Sequence, residues 1–419
     1  MENTKMSKFI IILFCISIYP ITLRFSPVMS YAAIYGIPFC YLLCHFRQFV
    51  KITKKQLMVT VMLFLLLLLS IFYPALHGTG DYSYVKVITF IFRKSVIYLF
   101  LVCILLKYYK EKIRVEIFYY YFALANAIYV VGTLCFVFVP GLHQLWFKIF
   151  SENVENTNVL LQSFGYTFRI GWQGFSGFRM TLHCTLSCLF LLYMYYSRDS
   201  KIRIKKHVFF ISYALCFMGN MFYGRSGLAV TVLLTIVAIV AWNRGQLKKI
   251  FRFVIAGAFF IMAIYIFRDA PLISDWYEWM SRPFINLLKS GSFQNASFSS
   301  LSDMYFLPGG KTILWGDGYF TKNGGYYMNT DSGFMRNILF WGMIGGVLSY
   351  FTTVYCMWDL RKKNIVFFLM FCVAFILFEY KGDTYYEFIT LFYVIAFMDA
   401  RETKKLPDLE MGLEKKWSI

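Results

Sequence analysis

The chain is 419 residues long, and 59% of its residues are hydrophobic, 21% aromatic and 15% charged. Soluble domains contain about 45–50% apolar and about 25% charged residues, so this composition excludes a water-soluble enzyme. The net charge of +20 is typical of nucleic-acid-binding proteins, but its distribution along the chain follows membrane topology instead.

Apolar segments follow one another along almost the whole chain, and a spanning helix needs about 20 such residues. We therefore predict an all-α, polytopic integral membrane protein with about twelve transmembrane helices. In chain order the predicted spans are 9–24, 26–46, 56–76, 87–109, 117–142, 178–196, 208–223, 228–243, 253–267, 333–358, 365–380 and 387–400. Residues 1–400 are treated as one transmembrane domain and 401–419 as a charged cytoplasmic tail.

The basic residues alternate between the two sides of the predicted spans. Of the 42 Lys and Arg residues, 27 fall at the amino terminus or in every second loop. These basic stretches are 47–55, 107–116, 198–207, 244–252, 361–363 and 401–416. The positive-inside rule assigns them to the cytoplasm, so both termini are predicted to be cytoplasmic. Nucleic acid is not expected as a partner.

Two of the opposite, external loops are long, covering 143–177 and 268–332. The second is rich in aromatic residues and contains glycine turns, and disordered segments are poor in aromatics, so we predict that it is ordered. Aromatic faces among scattered polar groups suit sugar binding, while an interfacial aromatic belt is the alternative. The candidate sugar-binding residues are Trp172, Trp315, Tyr319 and Tyr326.

Several arginines lie at the external ends of spans or inside them, where ionisable residues are costly and mark functional sites. The planar guanidinium binds phosphate oxygens through two hydrogen bonds, which indicates an anionic ligand. Snorkelling to the headgroups is the alternative, above all for Arg93 and its neighbour Lys94. The candidates for binding a pyrophosphate are Arg225, Arg336, Arg179, Arg169 and Arg93. The glycines around Arg169 and Arg225 are interpreted as allowing close ligand approach.

Two acidic residues are candidates for a catalytic base. Asp331 precedes a predicted helix, where it serves as a base or where Thr330 or Asp331 caps the helix. Glu379 is the next candidate, with pairing to Lys381 as its alternative. The sequence lacks the HExxH, GxSxG, Walker A and CxxC motifs, so no metal or cofactor is expected.

Four stretches together resemble the Wzy-type polymerases of O-antigen and capsule repeat units, a family related to the O-antigen ligases. They are 169–172 with 174–179, 224–228, 316–320, and 330–336 with 342–346. The resemblance covers about 50 residues in motif and the whole chain in topology.

The resemblance implies a GT-C-like fold in the bacterial inner membrane and a metal-independent reaction at its periplasmic face. A glycan would move from undecaprenyl pyrophosphate onto a lipid-linked repeat unit, and a chain-length-regulating copolymerase is an expected partner. Ligases carry a histidine where this chain has Asp331, which favours a polymerase. An O-antigen ligase and a flippase or transporter of lipid-linked oligosaccharide remain the alternatives, with a membrane acyltransferase behind them.

Overall fold

The computed structural model describes most of the chain, and the described part is mostly helical. The described residues are 4–45, 53–139, 141–152, 167–242, 262, 265–266, 268–270, 274–290, 302–403 and 417–418. Most of the predicted span 253–267 and most of the predicted tail 401–419 lie outside them.

Within the predicted single domain, the chain divides into two compact units. The first unit comprises 1–36, 116–295 and 414–419. Its helices are α1 (Thr4–Ile18), α2 (Pro27–Tyr31, followed by a π-helical turn Ala32–Gly36), α6 (Val115–Phe138), α7 (Leu142–Ile149), α8 (Phe178–Tyr196), α9 (Lys206–Tyr223), α10 (Arg225–Trp242) and α11 (Ser274–Ser290). Its strands are β1 (Ile170–Gly171), β2 (Gly174–Phe175), β3 (Ile202–Arg203) and β6 (Trp417–Ser418), with a 3₁₀ turn at Thr167–Arg169.

The second unit comprises 37–115 and 296–413. Its helices are α3 (Ile37–Cys44), α4 (Lys54–Leu76), α5 (Ser83–Tyr109), α12 (Gly310–Trp315), α13 (Gly333–Met357), α14 (Leu360–Lys363), α15 (Ile365–Lys381) and α16 (Tyr385–Thr403). One short antiparallel hairpin, β4 (Thr321–Lys322) with β5 (Gly325–Tyr326), and 3₁₀ turns at Lys110–Lys112 and Tyr327–Asn329 complete it.

Six helices in the described residues are long and apolar enough to cross a membrane, which agrees with the predicted all-α membrane protein. They are Pro27–Cys44, Lys54–Leu76, Ser83–Tyr109, Val115–Phe138, Arg225–Trp242 and Gly333–Lys363. The count of twelve spans and the GT-C-like arrangement stay predictions.

Helix α8 forms the centre of the first unit, since nearly every residue from Met180 to Met194 is buried. Several of its buried polar side chains are hydrogen-bonded to neighbouring helices, as buried polar groups usually require. Thr185, for example, shares a hydrogen bond of 2.9 Å with Thr231 on α10. Gly219 on α9 allows close packing, because a Cβ there would lie 2.7 Å from the Cys184 sulfur.

In the second unit, basic residues from different predicted cytoplasmic loops meet at shared carboxylates. Glu402 Oε1 lies 3.7 Å from Arg114 Nε, and Glu402 Oε2 lies 3.5 Å from Lys363 Nζ. Lys55 Nζ lies 2.8 Å from Asp359 Oδ2. Each of these loops therefore lies at the same end of the unit. This agrees with the alternation of loops along the chain, while the orientation in the membrane stays a prediction.

The orientation is testable with reporter fusions. We expect reporters at the carboxy terminus and in 244–252 to be active in the cytoplasm, and reporters near 150 and 295 to be active in the periplasm, because the basic loops are retained inside. Alkaline phosphatase and green fluorescent protein fusions measure the two compartments. A cytoplasmic signal at 295 would contradict the charge-based topology.

Candidate functional site

Two of the predicted arginines in the first unit meet at one tryptophan. The guanidinium carbon of Arg225 lies 4.9 Å from the Trp279 ring centroid, and that of Arg169 lies 4.8 Å from the same centroid. Arg225 Nη1 also donates a hydrogen bond of 3.1 Å to the Trp279 carbonyl. We call Arg169, Arg225 and Trp279 the Trp279 cluster. Two cations at one ring make this a favourable place for an anion.

Arg225 is held in place by the tight turn that starts α10. Only Gly224 separates α9 from α10, and a Cβ on Gly224 would lie 3.0 Å from Thr181 on α8. A Cβ on Gly227 would lie 2.9 Å from the Asn220 side-chain oxygen. The glycines of this motif are therefore explained by helix packing, and the interpretation that they admit a ligand is not needed.

Trp279 is positioned by its neighbour Trp276 on α11. Trp276 is buried, and its Nε1 donates a hydrogen bond of 3.2 Å to the Met221 carbonyl near the end of α9. Its ring packs against Phe168 and Phe222 at centroid distances of 6.0 and 6.2 Å. This anchor fixes α11 beside the start of α10.

Arg179 lies in the first turn of α8, and the dipole of a helix favours anions at its N-terminal end. Thr181 on α8 donates a hydrogen bond of 3.2 Å to the Gly224 carbonyl, so α8 and α10 begin next to each other. Arg179 and Arg225 therefore mark the starts of neighbouring helices in the first unit.

The glycine-rich segment before α8 packs on protein. Gly171 lies so close to Tyr129 that a Cβ would overlap the phenol ring, and Tyr129 shares a hydrogen bond of 2.7 Å with Ser176. Gly174 has a φ of 100°, which the turn between β1 and β2 requires. Trp172 also packs internally: its Nε1 donates to the Tyr19 carbonyl at 3.3 Å, and its ring lies 4.7 Å from Tyr129. Trp172 therefore has a packing role in the structure, which is the alternative to its predicted role in sugar binding.

In the second unit, Arg336 on α13 faces Asp383, which lies between α15 and α16. Arg336 Nη1 is 3.9 Å from Asp383 Oδ2, and the side chains are 9% and 3% exposed. The Arg336 guanidinium carbon lies 3.7 Å from the Phe320 ring centroid and 4.1 Å from that of Tyr326. We call Arg336, Asp383, Phe320 and Tyr326 the Arg336 cluster. Burial raises the pKa of Asp383 to about 6, against the lowering effect of Arg336.

Helix α13 is interrupted at Gly342, which has a φ of 65° and a ψ of −160°. The break leaves carbonyl groups without helical partners, and two of them accept hydrogen bonds from the loop that is predicted to be external. Asp317 N donates to the Leu339 carbonyl at 2.7 Å, and Gly318 N donates to that of Phe340 at 3.0 Å. Irregular backbone at membrane depth requires such partners. The break therefore docks the loop beside the half-helix that carries Arg336.

Asp81, between α4 and α5, fixes the same loop. Its Oδ2 accepts hydrogen bonds from the backbone N–H groups of Phe320 at 2.6 Å and Thr321 at 2.7 Å. Burial alone would raise the pKa of Asp81, but hydrogen bonds from Ser83, Thr321 and Phe320 outweigh it and leave the pKa below its ordinary value. Asp81 thus positions Phe320 against Arg336.

We expect Asp81→Ala to loosen this loop, because hydrogen bonds to a charged acceptor contribute about 1.5–3 kcal/mol each. Trypsin cleavage after the exposed Lys322 of the purified protein measures the change and should accelerate at least tenfold. Asp303→Ala, an exposed acid of the same loop, is the matched control. The contribution of Asp81 is complete above its unfolded pKa of about 3.9 and is lost as pH falls through the lower folded value. Equal cleavage rates in both variants would contradict the anchoring role.

The two predicted acids differ in their surroundings. Glu379 is fully buried and accepts five hydrogen bonds: from Thr384 N and Oγ1 at 2.8 and 2.9 Å, Tyr385 N at 3.0 Å, Tyr350 at 3.1 Å and Asn337 at 3.3 Å. These donors connect Glu379 to α13 and α16. A carboxylate so fully occupied fits a structural role better than that of a base.

Asp331 is not the cap of α13. The cap is Ser332, whose side chain accepts a hydrogen bond of 3.5 Å from Met335 N. Asp331 Oδ1 is buried and has no hydrogen-bond partner in the described structure. Its neighbour Tyr305 donates a hydrogen bond of 2.7 Å to the Tyr380 carbonyl, and burial raises the pKa of Tyr305 to about 12. The capping alternative for Asp331 and Thr330 was wrong.

The predicted aromatics of the external loop form an accessible surface. Trp315 and Tyr326 are 52% and 49% exposed. Tyr319 stacks on Tyr327 at a centroid distance of 5.1 Å, with Lys322 Nζ 4.9 Å from the Tyr319 centroid. Exposed rings beside a cation can contact both sugar faces and acidic groups.

The predicted pair on α5 separates into an exposed and a buried residue. Arg93 is exposed, while Lys94 is 3% exposed and its Nζ lies 5.8 Å from the Tyr98 ring centroid. Snorkelling therefore does not describe Lys94.

Sequence reasoning missed Trp279, Asp81 and Asp383 as functional residues. Asp383 was visible as an acid in a turn between two spans, whereas Trp279 gave no local signal that separated it from the other loop aromatics.

Comparison with protein-family models, with curated proteins and with solved structures finds no match to this chain. The functional interpretation is therefore based on the residues of the chain. Two clusters stand out among the described residues: the paired arginines at Trp279 in the first unit, and the buried Arg336 and Asp383 in the second.

Proposed function

We propose that this protein is a surface-polysaccharide (O-antigen) polymerase, a membrane glycosyltransferase. It transfers a growing glycan from undecaprenyl pyrophosphate onto a lipid-linked repeat unit at the periplasmic face of the bacterial inner membrane. The proposal combines the family resemblance of the four motifs with the geometry of the residues in them.

The observation that carries the proposal is the Trp279 cluster. A glycosyl pyrophosphate needs its leaving-group charge stabilised, and preorganised cationic donors provide this. Arg169 and Arg225 present two guanidinium groups at one ring, and the plane of each suits the oxygens of a phosphate. Arg179, at the start of the neighbouring helix α8, adds positive charge to the same unit.

The external loop of the second unit supplies a surface for the glycan. Trp315, Tyr319 and Tyr326 provide rings that stack on sugar C–H faces. Lipid-linked substrates reach the protein through the bilayer, which accounts for charged residues at the ends of apolar helices. A chain-length-regulating copolymerase is the expected protein partner.

Deletion of the gene followed by gel analysis of surface polysaccharide tests the function. A polymerase predicts loss of the ladder with single-unit-capped lipid retained. Loss of all capping would contradict the proposal and indicate a ligase or a flippase. Complementation with the intact gene is the control and should restore the ladder.

A transporter of lipid-linked oligosaccharide is the second candidate, and the broken helix α13 favours it. Discontinuous helices form substrate sites in many transporters. A transporter delivers the substrate for every later step, so its deletion removes the capped single unit together with the ladder. The same gel therefore separates the two functions.

A further inference from the structure

The buried polar atoms of the second unit that have no hydrogen-bond partner in the described structure include Arg336 Nε, Asp383 Oδ1 and Asp331 Oδ1. Two of them belong to the Arg336 cluster. Buried polar atoms are almost always satisfied, and exceptions occur where a ligand or a reacting group completes the site. Arg336 and Asp383 also approach only to 3.9 Å, longer than a hydrogen bond, so each keeps bonding capacity for a third group.

Resting on the proposed function, we propose that Asp383 is the catalytic base of the glycosyl transfer, accepting the proton of the acceptor sugar hydroxyl on Oδ1. Arg336 is its positioning partner and keeps the carboxylate ionised. This assigns Arg336 to the carboxylate rather than to the pyrophosphate.

The other two carboxylates fit the task less well. The two oxygens of Glu379 together accept five hydrogen bonds. Neither oxygen is therefore available to accept a proton from an incoming hydroxyl. Asp331 has an unpartnered oxygen, but the structure places no cation within ion-pair distance of it among the described residues. Asp383 alone of the three combines an unpartnered oxygen with a cation that stabilises its charged form.

The titration of Asp383 matches the role. A base works best when its pKa lies near the operating pH, and burial raises the pKa of Asp383 to about 6. Most of the carboxyl is therefore ionised at neutral pH and able to accept a proton. The titratable groups that act on Asp383 or are affected by it are Arg336 and Tyr350 on α13, Glu379 on α15, Tyr84 on α5 and Tyr385 on α16.

In the reaction step, the acceptor hydroxyl gives its proton to Asp383 Oδ1 as its oxygen bonds to the anomeric carbon of the donor glycan. The bond from that carbon to the pyrophosphate oxygen breaks, and its electron pair leaves with undecaprenyl pyrophosphate. Asp383 then releases the proton to water. Tyr326 covers Arg336 and is half exposed, so the acceptor reaches the pair past this ring.

Purified full-length protein with undecaprenyl-pyrophosphate-linked repeat unit tests the assignment, with the polymerisation rate measured from pH 5 to 9. The wild-type rate should rise with pH through a limb near pH 6. Asp383→Asn should lose at least 100-fold at every pH, and Asp383→Glu should keep part of the activity. Arg336→Gln should move the limb to higher pH, since loss of the positive charge raises the pKa of the base. A purely structural role for Arg336 would lower the rate without moving the limb.

Asp303→Asn, an exposed acid of the same unit, is the control and should match the wild type. An active Asp383→Asn variant beside an active wild type overturns the assignment alone. A second combination of results also overturns the assignment. In it, Asp331→Asn loses the pH limb, Asp383→Glu keeps it, and Arg336→Gln does not move it. A wild-type protein that forms no polymer overturns the proposed function and this assignment with it.

Discussion

Arg225→Lys is expected to remove the polysaccharide ladder while the protein is made at its normal level. Lysine keeps the charge but loses the planar fork that binds two phosphate oxygens and stacks on Trp279. Loss of one preorganised donor to a developing negative charge reduces the rate by about 10²–10³. Gel analysis of surface polysaccharide measures the effect, together with immunoblotting of the membrane fraction.

Arg282→Lys is the matched control, because it makes the same substitution on α11 at an exposed residue that pairs with Glu278 at 2.5 Å. It should leave the ladder intact. Undecaprenyl pyrophosphate should raise the unfolding temperature of the wild type and of Arg282→Lys but not of Arg225→Lys. A wild-type ladder in Arg225→Lys would remove the argument that the Trp279 cluster binds pyrophosphate.

The positions of the helices were largely predictable because long apolar runs determine them. The predicted spans 56–76 and 87–109 correspond to α4 and α5, with starts that differ by a few residues. The break of α13 was not predictable from hydropathy, since Gly342 lies in an uninterrupted apolar run. Whether a glycine continues or ends a helix depends on partners elsewhere, here the backbone of Asp317 and Gly318.

The sequence predicted individual residues of the site but not which residues lie next to one another. Arg225 and Arg336 were identified because a charge near an apolar run is visible locally. Their partners Trp279 and Asp383 lie 54 and 47 positions further along the chain, and only the fold brings them together. The helix cap was assigned to the wrong residues because Thr330, Asp331 and Ser332 are all good caps, and backbone geometry selects among them.

Gly342→Ala is expected to abolish polymer formation and to destabilise the protein. At a φ of 65° and a ψ of −160° only glycine is free of backbone strain, and any other residue adds about 1–3 kcal/mol of conformational energy. A Cβ at this position would also lie 2.6 Å from the Trp315 backbone nitrogen, so α12 has to move. The alternative is a straightened α13, which would recapture the Leu339 and Phe340 carbonyls and release Asp317 and Gly318 from them.

Gly346→Ala provides the matched control, four residues further along the same helix, where a Cβ would meet nothing within 4 Å. It should keep the ladder and raise the stability by up to about 1 kcal/mol, since alanine favours helix more than glycine does. Thermal unfolding in detergent measures both variants, and the ladder reports on function. If Gly342→Ala unfolds at the temperature of Gly346→Ala and still polymerises, the break in α13 neither docks the external loop nor supports the Arg336 cluster.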